Sequence, residues 1–240
     1  MTTGIMKTMT TTTTLSVDSA TADDIADPAA CSDIADGGCN LRSAVARCTQ
    51  LLTNTSQACI VSMPAAELVK LDPRLGELSI VGANGLLRLD GNGCVISPLG
   101  ESGTLNNTRL LRVRDVGFGD ELTFIISNVT IRGFGNSELN GGALSLERTS
   151  VVFNDVLFSN NTGIYGGAVD IRTSSFVRIT SVLFERNIAG IRGGGIYFGN
   201  RNSNVKLTSC EFVGNVVSGE ASDDGESMSM GKFKTYSCFR

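Results

Sequence analysis

Gly141-Gly142-Ala143-Leu144, Gly166-Gly167-Ala168-Val169 and Gly193-Gly194-Gly195-Ile196 are one motif written three times, at intervals of 25 and 27 residues. A second motif keeps step with it: Phe158-Ser159-Asn160-Asn161, Phe184-Glu185-Arg186-Asn187 and Phe212-Val213-Gly214-Asn215, at intervals of 26 and 28. Two unrelated motifs sharing one period define a repeat. A repeat has to be settled first, because the fold follows from it.

Laying the units over one another produces columns. Val151, Val177 and Val205 align, as do Phe153, Ile179 and Leu207, then Val156, Val182 and Cys210, then the three Phe. An earlier, degenerate unit places Phe124, Ile126, Val129 and Ile131 in the same columns. Between the apolar columns stand polar ones: Ser127, Asn154, Thr180 and Thr208, beside Asn128, Asp155, Ser181 and Ser209. Each unit therefore reads as strand, polar corner, strand, Asn corner, Gly pair and a further strand. A unit of this size cannot bury its own apolar face and has to stack on its neighbours.

A period of about 25 residues built from short strands points to an all-β solenoid with parallel strands. Leucine-rich repeats share the length but need Leu at fixed spacing, and WD40 blades are longer, at about 40 to 45 residues. Stacking at about 4.8 Å per strand makes Leu78 to Asn215 a rod of roughly five or six coils. The Gly pairs mark corners that need a positive φ or a close approach of neighbouring coils.

Composition agrees with a stacked, polar-faced architecture and removes several functions. The 240 residues include 28 Gly and 4 Pro, and charged residues make up only 18%, against a usual quarter or so. A net charge of −4 argues against nucleic acid, which is held by clustered Lys and Arg. There is no His, which excludes the Ser-His-Asp triad, the Cys-His dyad and His-ligated metal sites. No sequence pattern calls for a cofactor or a metal. No stretch reaches the roughly 18 apolar residues of a membrane span, and the Thr-rich start is not a recognisable signal peptide.

Four segments are expected along the chain: a Thr-rich disordered leader over 1–14, a cap region over 15–77, the stacked repeats over 78–216, and a disordered or loosely packed tail over 217–240. Within the cap region, Leu41, Ala44, Val45, Cys48, Leu51 and Leu52 recur at helical spacing after Asn40. This predicts a helix over about 40–52 with Asn40 as its N-cap. Cys31, Cys39, Cys48 and Cys59 fall within 29 residues and match no zinc spacing. Disulfides in an oxidising compartment, with three possible pairings, and free buried thiols both stay open as readings.

The paired Gly-Gly-Ala-aliphatic and Phe-x-x-Asn blocks resemble the repeat of the chlamydial polymorphic outer membrane protein family over about residues 124–216. The resemblance implies a right-handed, single-stranded parallel β-helix, pectin-lyase-like in fold, displayed as an adhesin-like scaffold outside the cell or at its surface. It also implies a host or cell-surface protein or glycan as partner. Cys39-Asn40-Leu41-Arg42-Ser43-Ala44-Val45 is similar to the C-S-L-R-E-A-I box that opens many secreted β-helix proteins, which implies that the helix caps the first coil. The family's C-terminal membrane barrel has no counterpart in Val217 to Arg240, so the chain reads as a shortened or incomplete relative, and a fragment without independent activity stays open beside the scaffold.

Parallel β-helices also include polysaccharide-degrading enzymes, whose chemistry needs carboxylates grouped on one outer face. The outward positions after the Gly pairs are Ser145 and Glu147, Asp170 and Arg172, then Tyr197 and Gly199. Glu147, Asp170 and Arg172 are thus the surface-site candidates, with Glu147 expected to lie over Arg172 as a cross-coil ion pair that orders the face. No catalytic residue is assigned. Asp120 and Glu121, and Asp223, Asp224 and Glu226, read as solvated charge. Four Asn-x-Ser/Thr acceptor patterns begin at Asn54, Asn106, Asn128 and Asn160, with Asn128 expected at a stacked corner.

Overall fold

In the computed structural model the described residues are 11–17, 39–54, 57–99, 108–114, 123–135, 137–174, 176–199, 201–202 and 204–219. Along the chain come β1 (Thr12–Ser16), α1 (Leu41–Asn54), β2 (Ala58–Ser62), β3 (Leu68–Leu71), β4 (Leu78–Val81), β5 (Leu86–Pro98) and β6 (Leu111–Arg114). They are followed by β7 (Thr123–Arg132), β8 (Leu144–Glu147), β9 (Ser150–Ser159), β10 (Thr162–Tyr165), β11 (Val169–Arg172) and β12 (Val177–Glu185). Last are β13 (Ile188–Arg192), β14 (Ile196–Phe198), β15 (Val205–Thr208), β16 (Glu211–Val213) and β17 (Val216–Val217).

The strands form three sheets, and every strand pair within them is parallel. The long sheet runs β1-β2-β5-β7-β9-β12-β15, with β3 and β16 beside β5 and β12; a second runs β4-β6-β8-β11-β14, and a third β10-β13-β17. From β8 onward the chain visits the second, the long and the third sheet in turn, and then repeats the circuit. One such circuit is called a tier below.

The columns expected from the repeat are the observed register. Val151 pairs with Val177, Phe153 with Ile179, Val156 with Val182 and Phe158 with Phe184. Phe124, Ile126, Val129 and Ile131 face the same residues of β9. Inward positions fall at every second residue up to Phe153 and then resume at Val156, so the alternation slips by one within β9. The slip sits on Asp155, whose φ is 54°, and it recurs at Asn128, Ser181 and Ser209. A left-handed residue bends the strand there, so that both halves turn their apolar side to one core.

Two devices lock the tiers together. Phe158, Phe184 and Phe212 stack with centroids 5.2 and 4.9 Å apart, each contact worth about 0.5–1.5 kcal/mol beyond its buried area. Beside them, Asn161, Asn187 and Asn215 form a buried amide ladder. Asn161 Nδ2 donates to Asn187 Oδ1 (3.0 Å), and Asn187 Nδ2 donates to Asn215 Oδ1 (2.9 Å). The same carbonyl oxygens accept the backbone N–H of Asn161 and of Asn187. Each amide also donates back to a carbonyl of the preceding tier, at Ile131, Phe158 and Phe184.

The Gly pairs act as expected. Gly166 has a φ of 70°, and a Cβ on Gly167 would run into the carbonyl oxygen of Gly194 in the next tier. The first glycine turns the chain and the second lets the tiers close.

Helix α1 buries Leu41, Ala44, Val45, Cys48 and Leu52 against β2 and β4. Asn40 Oδ1 accepts the Ser43 N–H at 2.8 Å, as an N-cap should, and the Leu52 carbonyl accepts the Asn84 N–H at 3.0 Å. Cys48 is bonded to Cys59 on β2, so one of the three pairings left open by the sequence places the helix on the first strands. Cys39 is also in a disulfide; Cys31 and Cys238 lie outside the described residues. Cys94 and Cys210 are buried thiols.

Two boundaries differ from the sequence reading. Thr12, Thr13 and Thr14, expected within the disordered leader over 1–14, belong to β1 and pair with Ala58, Cys59 and Ile60; residues 1–10 lie outside the described residues. Parallel stacking also begins before residue 78, because β2 and β3 already pair with β5. Threonine's β-branched side chain suits a half-buried edge strand, which low complexity concealed. The tail expected over 217–240 lies outside the described residues from 220 onward.

Replacing Asn187 by Ala removes three buried hydrogen bonds to the tier before: those from the Asn161 N–H and from the Asn161 amide, which keeps only its bond to the Ile131 carbonyl, and the one to the Phe158 carbonyl. At about 1–3 kcal/mol for each lost partner, the variant should lose about 3 kcal/mol or more in urea unfolding. Asn215→Ala, at the end of the ladder where water has access, should lose less.

Candidate functional site

The repeat places two outward columns on the sheet of β4, β6, β8, β11 and β14. One reads Ser79, Arg112, Ser145, Asp170, Tyr197; the other reads Val81, Arg114, Glu147, Arg172. All three candidates from the sequence lie here. Glu147 stands between Arg114 and Arg172 in register.

The expected Glu147–Arg172 ion pair does not form. Glu147 Oε2 instead lies 3.0 Å from Arg114 Nε, close enough for an ion pair but without hydrogen-bond alignment. Arg172 turns along its own strand, and its Nε donates to Asp170 at 3.0 Å. The reason is competition: Asp170 is two residues away on the same outward face, and its burial makes a cation worth more to it than to half-exposed Glu147.

Asp170 is the unexpected member of this group. It occupies an outward position, yet its relative exposure is 2%. The Arg172 guanidinium closes over it and sits 5.4 Å from the Tyr165 ring and 5.8 Å from the Tyr197 ring. The two rings contact each other at 5.1 Å. Gly199 leaves the room for this arrangement, since a Cβ there would press on the Arg172 stem and the Tyr197 ring.

Burial pushes the Asp170 carboxyl up to about 6, against the opposing pull of Arg172 and, from further off, Arg109, while Glu147 adds to the rise. Arg109 is itself buried. It is ion-paired with Glu77, and its Nη1 donates to the Asn140 carbonyl at 2.6 Å. Burial lowers its proton affinity despite Glu77. The outcome is a chain of paired charges under and along one face, with Arg112, Arg114 and Arg172 as its half-exposed cations.

Glu77, Arg109 and Tyr165 were not singled out from the sequence. Glu77 and Arg109 lie in segments before β4 and β6, outside the repeat frame, so no column announced them. Tyr165 carried a weak signal, standing immediately before a Gly pair. Asp120, Glu121, Asp223, Asp224 and Glu226 lie outside the described residues, and among the described residues no three His, Cys, Asp or Glu side chains are grouped to hold a metal. Nor is any helix among them long and apolar enough to cross a membrane. Of the acceptor patterns, Asn128 and Asn160 are exposed at positive-φ corners.

No family model, no curated protein and no solved structure matches this chain.

The Asp170 carboxyl gives stability a definite pH dependence. An unfolded Asp titrates near 3.9 and the folded one near 6, so the folded state bears a charging cost above about pH 6. That cost is relieved as the pH falls toward 4 and the folded form takes up its proton. Asp170→Asn removes the cost and keeps an acceptor for Arg172. In urea unfolding it should be more stable than the parent at pH 7.5, by on the order of 2–3 kcal/mol, with the gap closing at pH 4.5. A variant weaker than the parent at pH 7.5 would show that the ion pair outweighs burial.

Proposed function

We propose that the chain is a right-handed, single-stranded parallel β-helix of the pectin-lyase-like kind, with α1 as its N-terminal cap. It works without catalysis, as an adhesin-like scaffold presenting its outer faces to a cell-surface or host protein or glycan. Support for the fold comes from the circuit of β8 to β17 through three parallel sheets, with like residues over like at each turn. Support for an extracellular or surface setting comes from the Cys48–Cys59 bond, since disulfides persist where the surroundings are oxidising.

The observation that carries the functional reading is the state of Asp170. This is the carboxyl whose proton affinity suits acid–base work near neutrality, and it is shut beneath Arg172. A general acid must come within about 3 Å of the atom it protonates, and a side chain this covered meets no substrate. Glu147 and Glu77 are likewise committed to arginines. The face is ordered by its charges, which suits display.

The same raised carboxyl favours one second reading, a polysaccharide-degrading enzyme with Asp170 as its acid. Incubating the full chain with polygalacturonate and with neutral polysaccharides between pH 5 and 7 separates the two readings. The scaffold reading expects no product above blank, together with retention of the labelled chain on cell surfaces or a glycan array. Product release abolished by Asp170→Asn would establish the enzyme.

A further inference from the structure

The column of left-handed corners forms one wall of a groove of about 290 Å³ on the outside of the long sheet. Asn128, Asp155 and Ser181 rise along that wall, one per tier, and Thr130, Leu157 and Leu183 form the floor. Gly93 extends the wall by a further tier. Four tiers at about 4.8 Å make the groove about 14 Å long, running across the strands. In three of these tiers its chemistry repeats: a polar group on an exposed corner, then a half-buried methyl-bearing side chain two residues on.

We propose that this groove binds an uncharged, hydroxyl-rich chain, a neutral oligosaccharide lying along the stack. The proposal deepens the scaffold reading and rests on it. Three observations select the occupant. No Lys or Arg lies among the described lining residues, and Asp155 contributes a carboxylate, so an anionic polymer is repelled. The lining strands β5, β7, β9 and β12 are each paired on both sides, so a peptide finds no free edge to extend. An amide, a carboxylate and a hydroxyl set beside leucine and threonine methyls, with the same rise each time, match a chain whose rings present C–H faces and hydroxyl edges in regular succession. Such a mix of apolar surface with a few placed polar groups is what small-ligand sites use.

The corners tolerate this role because the conformation is carried by the stack and not by the side chain. Asn128, Asp155 and Ser181 share a φ of 51–55° although their side chains differ, so the wall is rigid before a ligand arrives. No loop has to order itself, and the affinity is not reduced by that cost.

The test titrates the full chain with cellohexaose, chitohexaose and mannohexaose, with polygalacturonate as the anionic comparison. At least one neutral hexaose should bind, and Leu183→Arg, which places a long side chain across the floor, should weaken that binding tenfold or more at an unchanged melting temperature. Thr130→Arg, two tiers away, gives a second obstruction should the first variant fail to fold. Binding that survives a folded variant of either kind, binding of polygalacturonate alone, or no binding by any hexaose overturns the proposal. The scaffold reading fails separately: retention on cell surfaces with no hexaose bound removes the groove's role and leaves the scaffold, whereas loss of both removes both.

Discussion

Everything in this molecule depends on the requirement that a buried amide find partners. Asn161, Asn187 and Asn215 sit in the core, where their amides are satisfied by one another and by backbone N–H and carbonyl groups of the tier before. A slip of one residue between tiers would leave each amide against apolar side chains, at a cost of several kcal/mol per group. Parallel sheets built of valine, isoleucine and phenylalanine have little register preference of their own, and the ladder supplies it. The Phe stack beside it is the apolar half of the same lock. The degenerate tier shows the rule at its boundary. Phe134 replaces the asparagine there, so the amide donor is lost and the backbone N–H alone donates to Asn161 Oδ1, as it does in the other tiers.

Once register is set by the core, the outer surface is free to vary. The corner column reads Asn128, Asp155, Ser181 and Ser209 with one backbone conformation throughout, so side-chain identity there does not decide the shape. The face of β6, β8 and β11 shows the converse. Its backbone is as regular, yet each charge chooses a different neighbour, along the strand for Arg172 and across tiers for Arg114. Burial decides between the choices: a covered carboxylate gains more from a cation than an exposed one does.

The N-terminal end needs a different solution, because a stack of strands exposes apolar edges wherever it stops. Helix α1 packs its stripe against β2 and β4 among the first strands, and the Cys48–Cys59 bond fastens it to β2 across 11 residues. A short loop closed in this way lowers the entropy of the unfolded chain by the equivalent of about 2–3 kcal/mol. That is a useful amount for a short helix, which would be marginal alone.

The sequence by itself determined the repeat, its period and the residues that stand over one another. In a parallel stack identical residues have to face each other if each is to meet the same surroundings, so alignment of the units is already the register. It determined the helix and its cap as well, because Asn40 and the stripe from Leu41 to Leu52 interact locally. What only the tertiary structure decided is how open each outward residue is and which partner it takes. Asp170 reads as exposed from its column and is covered in fact, by Arg172, which is held against the rings of Tyr165, immediately before one Gly pair, and Tyr197, three residues after the next. Glu77 and Arg109 come from segments with no place in the repeat, so no periodicity could bring them to the face. The groove has the same origin: its residues are legible one by one, but a concavity exists only once the bend at each left-handed corner has been stacked tier upon tier.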